Sequence, residues 1–254
     1  MEITTLYANF DLSLRENLPT TNQNNLGLGV GPSSTSLWNG LVGFDFSSLV
    51  AMGITSVSSA ILRLYIGADF ATATSTLSVY RMIRTGVTET GCTWNTYNGT
   101  NAWGTAGCNN TTTDREAANI GSVARGTADT GWHEISLNTA KILEILNGTY
   151  TNPLLFLKDG NTIANPSTYY YETHENYYST GNVAEMYLEY EIGIPGVKNI
   201  NAVPTNSIKT INSVAAADIK SLQGMTFSGN WLRKLDWIRK GNLWRPQNPG
   251  LVKI

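Results

Sequence analysis

Apolar and polar positions alternate with a period of two through much of the first 190 residues. The pattern is plainest in Ala60-Ile61-Leu62-Arg63-Leu64-Tyr65-Ile66 and in Thr76-Leu77-Ser78-Val79-Tyr80-Arg81-Met82-Ile83. Successive side chains of a strand point to opposite faces, so such stretches suit half-buried strands. Shorter runs of the same kind occupy 5–10, 26–30, 41–46, 131–137, 153–158, 168–171 and 184–191. Clusters of Gly, Asn, Thr and Pro separate them, the turn chemistry expected between short strands. One segment carries a helical signature: Asn138 and Thr139 stand as caps before Ala140–Leu146, and Gly148 stops the run. Many short strands with one brief helix predict an all-β fold, a jelly-roll antiparallel β-sandwich.

The strand pattern stops near residue 194, and the chain then repeats itself. Ile208-Lys209-Thr210-Ile211-Asn212 returns eleven residues later as Ile219-Lys220-Ser221-Leu222-Gln223, with a fainter copy at Val197-Lys198-Asn199-Ile200-Asn201. Pro204 and the Asn, Ser and Thr density oppose a continuous helix, so short strand-turn units are expected. The division predicts a sandwich domain over 1–194 and a basic repeat and Trp-rich segment over 195–254. Charge changes sign at the same place. Residues 1–194 hold 8 Lys/Arg against 17 Asp/Glu, and residues 195–254 hold 9 against 2. Such a split marks a change of task along the chain.

The second segment therefore reads as a docking surface toward a neighbouring chain. Ile208, Ile211, Ile219, Leu222, Trp231, Trp237, Trp244 and Arg245 are its candidate interface residues, since Trp and Arg are enriched where interfaces are tightest. Its positive charges are spread over 60 residues rather than packed into a run, which argues against nucleic acid. No stretch approaches the ~20 apolar residues of a membrane span, so no membrane insertion is expected. Met1–Thr5 lacks the basic and apolar regions of a secretory leader, and synthesis in the cytoplasm is the expectation.

Candidate chemistry is sparse. Only His133 and His174 could serve a nucleophile, and neither sits in a recognisable triad context, so no catalysis is expected. The richest polar-aromatic stretch holds Tyr169, Tyr170, Tyr171, Glu172, His174, Glu175, Tyr177 and Tyr178. Tyrosine can stack on a sugar and donate a hydrogen bond, which makes Tyr169, Tyr170, Tyr171 and Tyr177, with Trp103, candidate glycan contacts. Strands also favour Tyr for packing alone. Asp11, Asn24, Asn25 and Asp45 are candidate ligands for a structural Ca²⁺, without an EF-hand spacing; no other cofactor is implied. Cys92 and Cys108 bracket an aromatic loop, either bonded across it or free.

Ordered motifs add a resemblance. "GLVGFDFSSL" (40–49), "SSAILRLYI" (58–66), "LSVYRM" (77–82), "TETGCTWNTYNGTNAWGTAG" (88–107), "GWHEISL" (131–137) and "MYLEYE" (186–191) occur in the order found in the DNRLRE-domain family, which the chain resembles over about residues 3–192. The resemblance implies a jelly-roll module for carbohydrate binding or cell-surface adhesion. Gly86-Val87 replaces the family's usual Trp, and the Pro before the closing strand is absent. The "IK.IN" phrases resemble repeats trailing fibre and adhesin proteins of tailed bacteriophages. Together these imply a virion surface protein: a capsid decoration, head fibre or tail adhesion protein that is a homo-oligomer, contacts other virion proteins and reaches surface glycans. The alternative is a carbohydrate-binding module of a secreted polysaccharide-degrading enzyme.

Overall fold

The computed structural model describes residues 1–192 and the short strands at 199–200, 203–204, 237–240 and 243–246. The chain divides into two units, Met1–Tyr190 and Glu191–Ile254.

The first unit is a jelly-roll-like antiparallel β-sandwich. Its elements are β1 (Glu2–Arg15), β2 (Leu28–Val30), β3 (Trp38–Phe44), α1 (Ser47–Val50), β4 (Ile54–Asp69), β5 (Ser75–Arg81), β6 (Gly121–Arg125), β7 (Trp132–Ser136), α2 (Thr139–Leu146), β8 (Leu154–Asp159), β9 (Tyr169–Tyr171) and β10 (Glu185–Ile192). The strand order is β2-β9-β4-β10-β1-β3-β8-β5-β6, with β7 beside β4. Strand β1 serves both halves. Its start pairs with β10, its end pairs with β3, and the register shifts between Ala8 and Phe10. A bulge of this kind bends a strand and lets one sheet fold back over itself.

Alternation then builds the core. Leu62, Leu64 and Ile66 of β4 meet Val42 and Phe44 of β3, Leu77 and Val79 of β5, and Leu155 and Leu157 of β8. Each such side chain contributes roughly 1.5–3 kcal/mol on burial. Helix α2 adds Ile142, Ile145 and Leu146, and the Asn138 side chain caps it by accepting the Lys141 N–H at 3.1 Å. Sequence reading expects that helix but not α1, a single turn too short to show a period. There the Asp45 carboxylate accepts the Ser47 N–H at 2.9 Å.

A second apolar cluster lies on the other face of β1, β3 and β8. Leu12, Leu14, Leu41 and Phe156 are covered there by Met82, Cys92, Trp94, Trp103 and Cys108. The cover is the long β5–β6 connection, which supplies its own framework. Trp103 Nε1 donates to the Thr93 carbonyl at 2.9 Å. The Asp114 carboxylate accepts N–H groups of Gly104, Thr105 and Asn110 at 2.9, 3.1 and 3.3 Å and pairs with Arg84 at 3.0 Å. Burial opposes its ionisation, but these donors outweigh it and hold Asp114 below the ordinary carboxylate value. Both cysteines are free thiols, buried, with burial pushing their pKa values up.

The second unit holds two hairpins among its described residues. β11 (Asn199–Ile200) pairs with β12 (Val203–Pro204), and β13 (Trp237–Lys240) pairs with β14 (Leu243–Pro246). No described helix is long and apolar enough to cross a membrane.

Candidate functional site

Because both faces of β1 are covered over Asp11–Arg15, its polar face is buried there as well. Leu12 and Leu14 belong to the outer cluster, while Asp11, Ser13 and Arg15 point the other way, opposite Val42, Gly40 and Trp38 of β3. This polar row meets the β9–β10 loop, which carries His174, Glu175, Tyr177 and Tyr178.

Buried Glu172 organises that loop. Its carboxylate accepts the N–H groups of Thr173, Tyr178 and Thr180 at 3.2, 2.8 and 3.0 Å, and the Thr180 hydroxyl at 2.8 Å. The hub places Tyr178 flat over Gly27 and Gly67, where a Cβ would lie 2.3 and 2.1 Å from its ring. No larger residue fits at either glycine while Tyr178 keeps this seat.

The result is an aromatic ledge. Tyr170 stands edge-on to Trp38, Phe70 and Tyr178, with ring centroids 5.2, 5.4 and 6.4 Å apart, and Tyr177 contacts Tyr178 at 4.9 Å. Phe70 is 64% exposed and Tyr177 47%, so the outer rings face solvent. At the base lies Arg15, its guanidinium 3.9 Å from the Trp38 ring centroid and 5.7 Å from that of Tyr170. Arg15 is only 9% exposed, and its Nε has no hydrogen-bond partner among the described residues. Nor does any described carboxylate form an ion pair with it. Burial lowers its pKa against the raising influence of Tyr170, Tyr178 and Tyr177. A desolvated cation among rings is stabilised by their π faces, and it retains donor capacity for an incoming hydroxyl, carboxylate or sulfate.

Trp38 also borders a groove of about 1010 Å³ lined by Tyr80, Trp94, Asn109 and Lys158. Lys158 donates to Asn109 Oδ1 at 2.8 Å, and burial together with nearby Arg115 holds it below the ordinary lysine value.

The sequence-derived candidates separate here. Tyr170 and Tyr177 belong to the ledge. Tyr169 and Tyr171 point inward from the same strand and are wholly enclosed, and Trp103, 5% exposed, is packed in the outer cluster. Direct sugar contact therefore does not fall to those three. Tyr169 donates to the Gly126 carbonyl at 2.9 Å, and Tyr171 meets His133 Nδ1 at 2.8 Å. Trp237, Trp244 and Arg245 fall in the β13–β14 hairpin. Ile208, Ile211, Ile219, Leu222 and Trp231 lie outside the described residues. Of the calcium candidates, Asp45 is spent on α1, while Asp11 faces His174. Arg15, Trp38 and Phe70 are ledge residues that the sequence reading missed. The signal was Asp-Leu-Ser-Leu-Arg at 11–15, an alternation whose polar half reads as solvent-facing.

His133 links the enclosed tyrosines to a pH dependence. Burial lowers its pKa from the ordinary 6.5, although Asp129 Oδ2, 3.0 Å from Nε2, pulls the other way. Below pH 6.5 the unfolded chain takes up a proton that the folded chain resists, so stability is full above 6.5 and falls as the pH drops. Asp129, held below its ordinary 3.8 mainly by the Gly126 N–H, acts in the same direction at lower pH. Urea midpoints should fall on acidification, and should fall less in His133→Gln. Equal pH dependence in both proteins would assign the effect to other groups.

No protein-family model matches the chain, and no curated protein matches it either.

Proposed function

We propose that the chain is a non-catalytic surface protein of a bacteriophage particle whose sandwich attaches to glycans through the aromatic ledge. The observation that carries the glycan reading is the group of Phe70 and Tyr177, exposed, with half-buried Tyr170 and Tyr178, above Arg15, whose Nε has no partner among the described residues. Aromatic rings stack on the apolar faces of sugars, and a buried guanidinium supplies directional donors to their oxygens. A binding role is also supported by how the nucleophile and base candidates are used. His133 is held between Tyr171 and Asp129, His174 lies among carboxylates, and the two thiols are buried with raised pKa values. The particle setting rests on the sequence of residues 195–254, with its charge reversal and its phage-like repeats.

The test is a glycan array probed with the full chain, followed by affinity measurement on the best ligand. Tyr170→Ala and Tyr177→Ala should each weaken binding by about tenfold or more, near 1.4 kcal/mol. Unchanged array binding in the double variant would remove the ledge from the reading. Particle mass with and without residues 195–254 tests the docking half. Loss of oligomer or virion association on truncation is expected, whereas an unchanged glycan-binding monomer favours a module cut from a polysaccharide-degrading enzyme.

A further inference from the structure

Three separate segments bring carboxylates around one imidazole. Asp11 comes from β1, Glu89 from the β5–β6 connection, and His174 with Glu175 from the β9–β10 loop. Nδ1 of His174 is 3.2 Å from Asp11 Oδ2 and 3.7 Å from Glu89 Oε1, while Nε2 is 3.2 Å from Glu175 Oε1. Donors of Asp11, His174 and Glu175 all lie within 4.8 Å of one another. Two ligands on one zinc-class ion, with bonds of about 2.0–2.2 Å, stand roughly 3–3.5 Å apart. On the Nδ1 side of the ring, Asp11 and Glu89 stand 3.2 and 3.7 Å from the nitrogen.

An independent observation points to a missing partner. Asp11 is wholly enclosed, and its Oδ1 has no hydrogen-bond partner among the described residues. A buried carboxylate oxygen left unsatisfied costs stability unless something neutralises it. Among the described ion pairs of Asp11, Glu89 and Glu175, the only cationic partner is this same imidazole.

The geometry points to a binding site for one divalent transition-metal ion of the zinc class, ligated by Asp11, Glu89 and His174 Nδ1, with Glu175 orienting the ring through Nε2–H. A carboxylate on the far nitrogen is the usual way in which a metal-bound imidazole is fixed in tautomer and direction. The ligands are also held from behind: the Asp11 N–H donates to Glu89 Oε1 at 2.9 Å, and the His174 N–H donates to Asp11 Oδ2 at 2.7 Å. Side-chain exposures of 24% for His174 and 22% for Glu89 leave the ion a way in. One nitrogen with two or more carboxylate oxygens favours Zn²⁺, Co²⁺ or Ni²⁺, whereas Ca²⁺ prefers oxygens throughout. The ion would pin the loop bearing Tyr177 and Tyr178 to β1. The site stands whether or not the ledge binds glycans.

The test uses the full chain, stripped with EDTA and titrated with ZnCl₂ by calorimetry and with CoCl₂ by visible absorption. One equivalent of Zn²⁺, a raised thermal midpoint and ligand-field bands from Co²⁺ are expected. His174→Ala and Glu89→Gln should abolish the bands, and Glu175→Gln should weaken Zn²⁺ by about 10–100-fold. Circular dichroism identifies a variant that has failed to fold, and the two remaining variants then decide. His133→Gln should bind as the parent does. No Zn²⁺ binding at roughly a hundred times the affinity limit of a micromolar site, binding that survives in His174→Ala, or a response to CaCl₂ alone would overturn the assignment.

Discussion

Arg125→Met should cost the sandwich about 3–5 kcal/mol of unfolding free energy, read from urea denaturation near neutral pH. The Arg125 and Asp159 side chains are 0% and 1% exposed and form a direct ion pair. The guanidinium also donates to the Ser167 carbonyl at 2.9 Å, to Ser75 Oγ at 3.1 Å, and to the Val30 carbonyl and Tyr171 hydroxyl at 3.2 Å each. One side chain of β6 thus ties together β2, β5, β8, β9 and the segment entering β9. Methionine fills much of the space but leaves Asp159 charged, enclosed and without its cation. Domains are stable by only about 5–15 kcal/mol, so the loss should move the midpoint substantially. Arg63→Met is the control. Its partners Glu134 and Glu185 lie nearer solvent, with Glu134 57% exposed, and such a pair contributes only about 0–1 kcal/mol. Adding Asp159→Leu to Arg125→Met should restore part of the loss, because the stranded charge is removed. A single-variant loss below about 1 kcal/mol would deny the pair its structural role.

The parts legible in the sequence were those with one wet and one dry face. β4, β5 and β10 alternate because the core takes one side and solvent the other, and their positions follow from that pattern. β1 was legible only in part. Its pattern over 11–15 is perfect, but both faces are covered, so Asp11, Ser13 and Arg15 look like surface residues until the β9–β10 loop is in place. The tyrosine run shows the same ambiguity. Alternation implies that Tyr170 opposes Tyr169 and Tyr171, yet not which side is dry. β6 escaped because Gly121-Ser122-Val123-Ala124-Arg125 is too small and short to carry a period.

The candidate sites were legible as ingredients but not as assemblies. Tyr170 and Tyr177 are conspicuous in sequence; the Trp38 ring that meets Tyr170 comes from β3, and the glycines on which Tyr178 rests come from β4 and from just before β2. The Asp11 N–H reaches Glu89 across 78 positions, and the His174 N–H reaches Asp11 across 163. Contacts at such separations are set by strand order, which local pattern does not encode. The common cause is the Glu172 hub: four hydrogen bonds fold the loop that delivers both the outer tyrosines and His174.

Trp94→Ala should cost about 3–5 kcal/mol, the range for removing a large buried aromatic. Trp94 is 7% exposed and belongs to the cluster covering Leu41 and Phe156. Its ring lies across Gly107, which has φ +71° and where a Cβ would sit 2.5 Å from the indole. The Gly107 N–H donates to the Trp94 carbonyl at 2.7 Å, and Asn39 of β3 donates to the Gly107 carbonyl at 2.9 Å. The tryptophan, the glycine and the strand beneath therefore form one clamp on the β5–β6 connection. A cover with few regular elements opens locally once its anchor is removed, before the inter-layer core gives way. Limited proteolysis should accordingly cut Trp94→Ala within residues 95–113 while the parent stays intact. Gly107→Ala should give the same cut without changing a core side chain, since it combines a left-handed backbone with a clash against the ring. Cleavage elsewhere first would mean that the core between the layers, rather than this cover, depends on Trp94. Cleavage in 95–113 with the sandwich still folded would mark the connection as a separately anchored lid on the face that holds the Lys158 groove.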